Sequence, residues 1–253
     1  MWNYDIFFIH GAWAGGWFFR RWSAAFASEG WSARAITLPG HGPGEDPRGL
    51  GLLDYVEAVE EAVWRPERTV LVGHSMGGWV VMKVMERLPV AATVMLSPVP
   101  AYGLTFGVNT SLTMLSPSTA FRSIVLGKAL GLPEKVVRKI CFASDTEEIT
   151  IKRFIDNSVP ESPTALRQIL RLGWKLPGKV KIKPKKLAKS GGRHLIIGSD
   201  ADFFVKPVEL EESAKMLGAS MVRLKSYPHC YPYTEQGPGV RALVQEWLEK
   251  NLG

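Results

Sequence analysis

Short apolar runs alternate with longer mixed runs along the first hundred residues. Ile6-Phe7-Phe8-Ile9 is unbroken apolar sequence ending at His10-Gly11, the signature of a strand buried on both faces. Trp17 to Ser28 mixes apolar and polar positions at helical spacing and stops before Gly30, which predicts a helix. Ser32 to Thr37 predicts a second strand, running into the turn-rich Leu38-Pro39-Gly40-His41-Gly42. A helix is expected over Leu52 to Val63, a strand over Arg68 to Val72, a helix over Trp79 to Met85 and a strand over Ala92 to Leu96, stopped by Pro98 and Pro100. From about Pro100 to Gly192 the pattern changes to short amphipathic helical runs, Glu134 to Ala143, Glu147 to Asn157 and Pro163 to Leu172, separated by Pro and Gly. The first pattern then resumes: strand His194 to Gly198, helix Pro207 to Leu217, strand Met221 to Ser226 and closing helix Val240 to Asn251.

Strands alternating with helices imply βαβ units and a mainly parallel sheet of about six strands, flanked by helices. Residues 1–99 and 193–253 are expected to form this core, with 100–192 a helical lid lying over the carboxyl ends of the strands. A chain of 253 residues suits one large domain. Its 46% apolar and 22% charged content is ordinary for a globular protein and argues against disorder. No uncharged apolar run reaches about 18 residues, so no membrane span is expected. Met1-Trp2-Asn3-Tyr4-Asp5 has neither a basic n-region nor a small-residue cleavage site, and Cys141 and Cys230 form no disulfide framework or metal pattern. A cytoplasmic location with reduced thiols is the expectation. The net charge of +7 comes largely from Lys175, Lys179, Lys181, Lys183, Lys185, Lys186, Lys189 and Arg193. Lacking interleaved aromatics or a nucleic-acid motif, this stretch reads as a solvated, edge-like segment whose lysines discourage strand pairing, rather than as a docking surface for an anionic partner.

Candidate chemistry centres on Val72-Gly73-His74-Ser75-Met76-Gly77-Gly78. A serine between an apolar strand and a helix sits on a sharp turn that lifts its hydroxyl off the sheet, and glycines on either side admit close backbone. Ligands of open parallel sheets gather at the carboxyl ends of strands. Those ends carry His10-Gly11-Ala12-Trp13, Ser75, Gly198-Ser199-Asp200-Ala201-Asp202 and Tyr227-Pro228-His229-Cys230. A nucleophile, an acid and a histidine thus follow one another in the order Ser, Asp, His.

That order, with G-H-S-M-G-G, H-G-A-W and L-P-G-H-G, resembles the α/β-hydrolase superfamily over nearly the whole chain, and most of all the small plant-esterase and hydroxynitrile-lyase branch with its bacterial esterase relatives. The two leading strands of larger members have no counterpart before His10. The resemblance implies a serine hydrolase cleaving carboxylic esters through an acyl-enzyme: Ser75 as nucleophile, His229 as base, and backbone N–H groups of Ala12 and Met76 as oxyanion donors. Asp202 is preferred over Asp200 as the acid, because Asp202-Phe203-Phe204-Val205-Lys206-Pro207 matches the family's acid-to-proline stretch. Trp13, Trp79 and Phe203 are candidate pocket residues, although for any one aromatic the core is the plainer reading. Thioesterases and carbon–carbon bond hydrolases use the same triad, and a ligand-binding member with little turnover would carry it too. Hydroxynitrile lyases place threonine at the position of Gly11 and lysine after the histidine, where this chain has Cys230. His10 is expected to brace its loop, His74 to be structural, His41 to pack near the oxyanion strand and His194 to lie at the surface. No metal, cofactor, nucleic-acid partner or membrane insertion is implied. The expected partner is a small ester-like substrate, the protein being a monomer or a homodimer.

Overall fold

Six strands form one all-parallel sheet in the order β2-β1-β3-β4-β5-β6. The strands are β1 (Asp5–Ile9), β2 (Ser32–Ile36), β3 (Thr69–His74), β4 (Ala92–Leu96), β5 (Arg193–Ser199) and β6 (Ser220–Leu224). The structure, a computed structural model, describes residues 2–104, 118, 127–170, 178–187 and 192–253. The central strands β1, β3 and β4 are buried at every position, as parallel strands covered on both faces must be, whereas the edge strands β2 and β6 are half-open.

Helices α1 (Arg20–Ser28), α2 (Leu52–Ala62) and α3 (Met76–Met85) connect the first four strands, while α8 (Pro207–Leu217) links β5 to β6 and α9 (Gly237–Leu252) closes the chain. The segment foreseen as one helix from Trp17 begins as a 3₁₀ turn, Gly16–Phe19, before α1. Phe8 of β1 meets Phe19, Trp22 and Phe26 at ring-centroid distances of 5.2, 6.2 and 5.6 Å, an aromatic core on one sheet face. Helix α3 starts at Met76, three residues ahead of the apolar run that predicted it. Gly77 and Gly78 are poor helix formers, but they let the helix press against the strands, and that packing outweighs propensity.

Between β4 and β5 lie α4 (Glu134–Cys141), α5 (Glu148–Asn157), α6 (Pro163–Ile169) and the short α7 (Pro184–Leu187). Ser162 caps α6, its hydroxyl accepting from Thr164 N and Ala165 N at 3.1 and 3.3 Å, with Pro163 at the first helical position. Gln168 of α6 accepts from Leu52 N at 2.8 Å and so docks on the start of α2. Leu172, the last residue expected in that helix, is outside the described residues, as are Lys175 and Lys189.

The lysine-rich stretch is not a sheet edge; β2 and β6 are the edges. Residues 178–187 form turns and α7, with Val180, Ile182 and Leu187 buried and Lys179, Lys181, Lys183, Lys185 and Lys186 exposed. Backbone pairing is replaced by an anchor on α3: buried Lys83 donates to Lys181 O at 2.7 Å, and the Glu86 carboxylate accepts from Lys183 N. Among the described residues no helix is long and apolar enough to cross a membrane.

Candidate active site

The chain leaves β1 for β2 on one side and returns to β3 on the other, so a crevice opens above the carboxyl ends of β1 and β3. Pairing Ile9 with Gly73 continues upward to set Gly11 beside Ser75. A Cβ added to Gly11 would lie 3.0 Å from Ser75 Cβ.

Ser75 has φ 54° and ψ −117°, a conformation costing a non-glycine residue roughly 1–3 kcal/mol. The surroundings over-determine it. Ser75 N donates to Leu96 O at 3.0 Å, and Ser75 O accepts from Gly78 N and Val99 N, each at 3.0 Å. A side chain at Gly73 would come within 2.4 Å of Gly77 O, and one at Gly77 within 2.3 Å of Ile9 O, so both sites exclude a Cβ. Met76, as the first residue of α3, has an N–H without an intrahelical acceptor.

The loop after β6 delivers His229, and the loop after β5 delivers Asp202. Ser199 Oγ donates to Tyr227 O at 2.7 Å and accepts from Tyr227 N at 3.0 Å, which clamps one loop to the other. His229 Nδ1 lies 2.9 and 2.8 Å from the two Asp202 carboxylate oxygens. Asp202 is fully buried and also accepts from Phe204 N and Val205 N at 2.8 and 3.1 Å. Burial alone would raise its carboxyl; the adjacent imidazole's charge and hydrogen bond outweigh that and hold it below the usual carboxylate range. Asp200, two residues earlier, sits at the surface bonded to Arg223.

The other histidines are fixed by their surroundings. His74 Nε2 donates to His229 O at 2.9 Å under the stacked ring of Phe18, and burial, then neighbouring His229, pushes it down to about 3. His10 Nδ1 donates to Gly11 O at 2.8 Å while its Nε2 accepts from Leu38 N at 3.0 Å, so it braces two loops as a neutral ring held down to about 3 by burial and by His41. His194, expected at the surface, is instead buried with Nδ1 2.9 Å from Thr93 Oγ1. The β4–β5 pairing sets His194 opposite Thr93, which carries its ring under cover.

Ser75 and His229 border one cavity of about 170 Å³. Ala12 and Trp13 form part of its wall, and Val137, Phe154 and Ile155 of α4 and α5 another part. Trp79 is buried in the core and Phe203 packs edge-on to Phe204; neither lines this cavity, whereas Phe204 does. Glu161, a fully buried carboxylate bonded to the Trp13 wall, carries no local motif that would single it out.

Solved structures of similar fold include an extracellular α/β-hydrolase from a Paenibacillus species (17% identity, TM-score 0.72, covering 96% of this chain and 98% of that one). A carboxylesterase from Bacillus subtilis matches at 18% identity and TM-score 0.71, over 97% of this chain and 84% of its own. A methylesterase from Arabidopsis matches at 15% and 0.72, over 97% and 99%. A rice (Oryza sativa) protein described as a probable esterase is 36% identical over 110 residues, 40% of this chain and 42% of the rice protein, less than half the length of either. Residues 6–242 match the model of the alpha/beta hydrolase family, and with the parallel sheet, the strained serine turn and the crevice above it, the chain belongs to that family.

Proposed function

We propose that the protein is a serine esterase that cleaves carboxylic esters through an acyl-enzyme. One observation carries the reading: the Asp202-held His229 borders the same cavity as Ser75 on its strained turn. With Nδ1–H held by Asp202, Nε2 of His229 is the basic nitrogen. It takes the Ser75 proton as Oγ attacks the ester carbonyl, and Met76 and Ala12 N–H groups receive the oxyanion. The tetrahedral intermediate collapses, and the alcohol leaves carrying the proton returned by His229. Water, deprotonated by the same nitrogen, then releases the acid. Each oxyanion donor contributes about 2.7–4 kcal/mol of transition-state stabilisation.

Gly11 favours hydrolysis over cyanohydrin cleavage. A Cβ there would stand 3.0 Å from Ser75 Cβ and 3.1 Å from His74 Nδ1, so a threonine would crowd the serine turn and force its neighbours aside by a few tenths of an ångström. Segment 100–192 acts in this reading as a cap, with α4 and α5 walling an apolar acyl site that excludes water. The test is hydrolysis of p-nitrophenyl acetate and butyrate by wild type and Ser75→Ala, with a sulfonyl fluoride label located by peptide mass. Loss of turnover in the variant and a label on the Ser75 peptide are expected. Turnover retained by Ser75→Ala, or a label elsewhere, ends the reading.

A further inference from the structure

Glu161 lies in the segment between β4 and β5, yet its carboxylate is bonded to three elements of the sheet domain. Oε1 accepts from Tyr55 OH of α2 at 2.7 Å and from its neighbour Ser162 N at 2.8 Å. Oε2 lies 2.9 Å from His41 Nε2 and, at a longer 3.4 Å, accepts from Trp13 N. Side chains of both His41 and Glu161 are fully excluded from solvent. His41 Nδ1 also faces an acceptor, Pro39 O at 3.0 Å, so both ring nitrogens donate and the imidazole is the charged form. Burial pulls His41 down, but the hydrogen bond to Glu161, its charge and the backbone carbonyls raise it above its ordinary value.

Trp13 is the residue after the proposed donor Ala12, and its φ is +61°, a conformation bulky residues adopt only under constraint. The constraint comes from the same segment. Trp13 Nε1 donates to Leu130 O at 2.8 Å, and Trp13 O accepts from Val159 N at 3.1 Å. Leu130 and Glu161 are themselves joined by a two-way backbone bridge, each N–H to the other's carbonyl at 2.9 Å. A buried carboxylate is costly to desolvate and an apolar residue would pack as well. What an apolar residue would not do is accept from the Trp13 N–H and hold its peptide against strain.

We propose that Glu161, paired with His41 and Tyr55, is a positioning residue for acyl transfer: it fixes the Trp13 turn and thereby the aim of the Ala12 N–H at the developing oxyanion. This rests on the esterase reading and adds a dependence of the oxyanion site on the segment above it. The aim of a donor matters only where charge develops, so the defect belongs in kcat and leaves KM nearly alone.

The experiment compares wild type, Glu161→Gln, Tyr55→Phe and Ser75→Ala with p-nitrophenyl butyrate, counting active sites by sulfonyl fluoride titration. Glu161→Gln should lower kcat per active site by about 10- to 100-fold, short of the loss of a whole donor, with KM within about twofold. Tyr55→Phe, which removes one bond and little volume, should lower kcat about threefold in the same manner. An arylboronic acid, whose adduct with Ser75 places an oxygen at the oxyanion position, should weaken in parallel with kcat. Wild-type kcat per active site in Glu161→Gln overturns the proposal; so does a defect confined to KM or to the number of active sites. Should Glu161→Gln fail to fold, Tyr55→Phe decides by the same criteria. Activity surviving in Ser75→Ala fells the esterase reading and this proposal together, whereas an inert Ser75→Ala beside a wild-type-like Glu161→Gln fells the positioning role alone.

Discussion

Asp200 and Asp202 are the same residue type two positions apart, and only their surroundings separate them. Asp202 is buried on His229 Nδ1 and the amides of Phe204 and Val205; Asp200 is at the surface with Arg223. Asp202→Asn keeps the shape but offers Nδ1 a donor on one side, favouring the tautomer with Nδ1 bare. Turnover should fall by about 10⁴-fold, the scale of removing such an orienting carboxylate. Asp200→Asn breaks only an exposed ion pair worth about 0–1 kcal/mol and should leave kcat within about twofold. Steady-state hydrolysis of p-nitrophenyl acetate checks both, and equal losses would remove Asp202 from its role. That Asp202 rather than Asp200 lies beside His229 was legible in the sequence through the family-like apolar stretch from Asp202 to Pro207. Glu161 was not. Its partners Tyr55, His41 and Trp13 lie 106, 120 and 148 residues away, and no local pattern marks a carboxylate whose contacts, the adjacent Ser162 N apart, are remote.

At the scale of elements, each strand was readable because its evidence is local: apolar runs such as Ala92–Leu96 ended by proline, and turns punctuated by glycine. The lysine-rich stretch misled because alternating exposed lysines and buried Val180 and Ile182 imitate a strand, while its true partner, Lys83 of α3, lies far off in the chain. Helices α4 and α5 had readable apolar faces, but periodicity cannot say what a face covers. Val137 and Ile155 line the cavity with Ser75, which gives the cap reading a direct test. Ile155→Ala, a half-buried position, should enlarge the acyl site, and Val137→Phe should shrink it. One or two methylenes of fit are worth about 1–3 kcal/mol each. The hexanoate-to-acetate ratio of kcat/KM should therefore rise about tenfold in the first variant and fall as much in the second. Labelling of Ser75 by a small sulfonyl fluoride should stay within about twofold. A flat chain-length profile in both variants would make α4 and α5 bystanders.

Across the whole molecule, the buried histidines, two of them bracing the site, also set stability against pH. His10 and His74 are pushed down to about 3 and His194 to about 4, in each case first by burial. Depressed bases stay neutral in the fold, while the unfolded chain takes up protons below about pH 6.5. Their contribution is fully present above that pH and is lost as pH falls toward 4. Each costs roughly 1.4 kcal/mol per pH unit, so together about 4 kcal/mol per unit against a total stability of about 5–15 kcal/mol. Asp202, held low, acts in the same direction but only below about pH 4, where unfolded carboxylates begin to protonate. His41 works oppositely. Its raised value means the folded state keeps a proton that the unfolded chain releases, so its contribution is complete below about pH 6.5 and is lost as pH rises through that higher value. Thermal unfolding followed by circular dichroism should therefore show maximal Tm near pH 6.5–7, a steep acid limb with unfolding at room temperature between about pH 5.5 and 4, and a gentler alkaline limb. His41→Asn should lower the maximum and flatten the alkaline limb while leaving the acid slope unchanged, since the buried neutral histidines remain. An acid limb that stays level down to pH 4.5 would mean that these rings do not stay neutral in the folded protein.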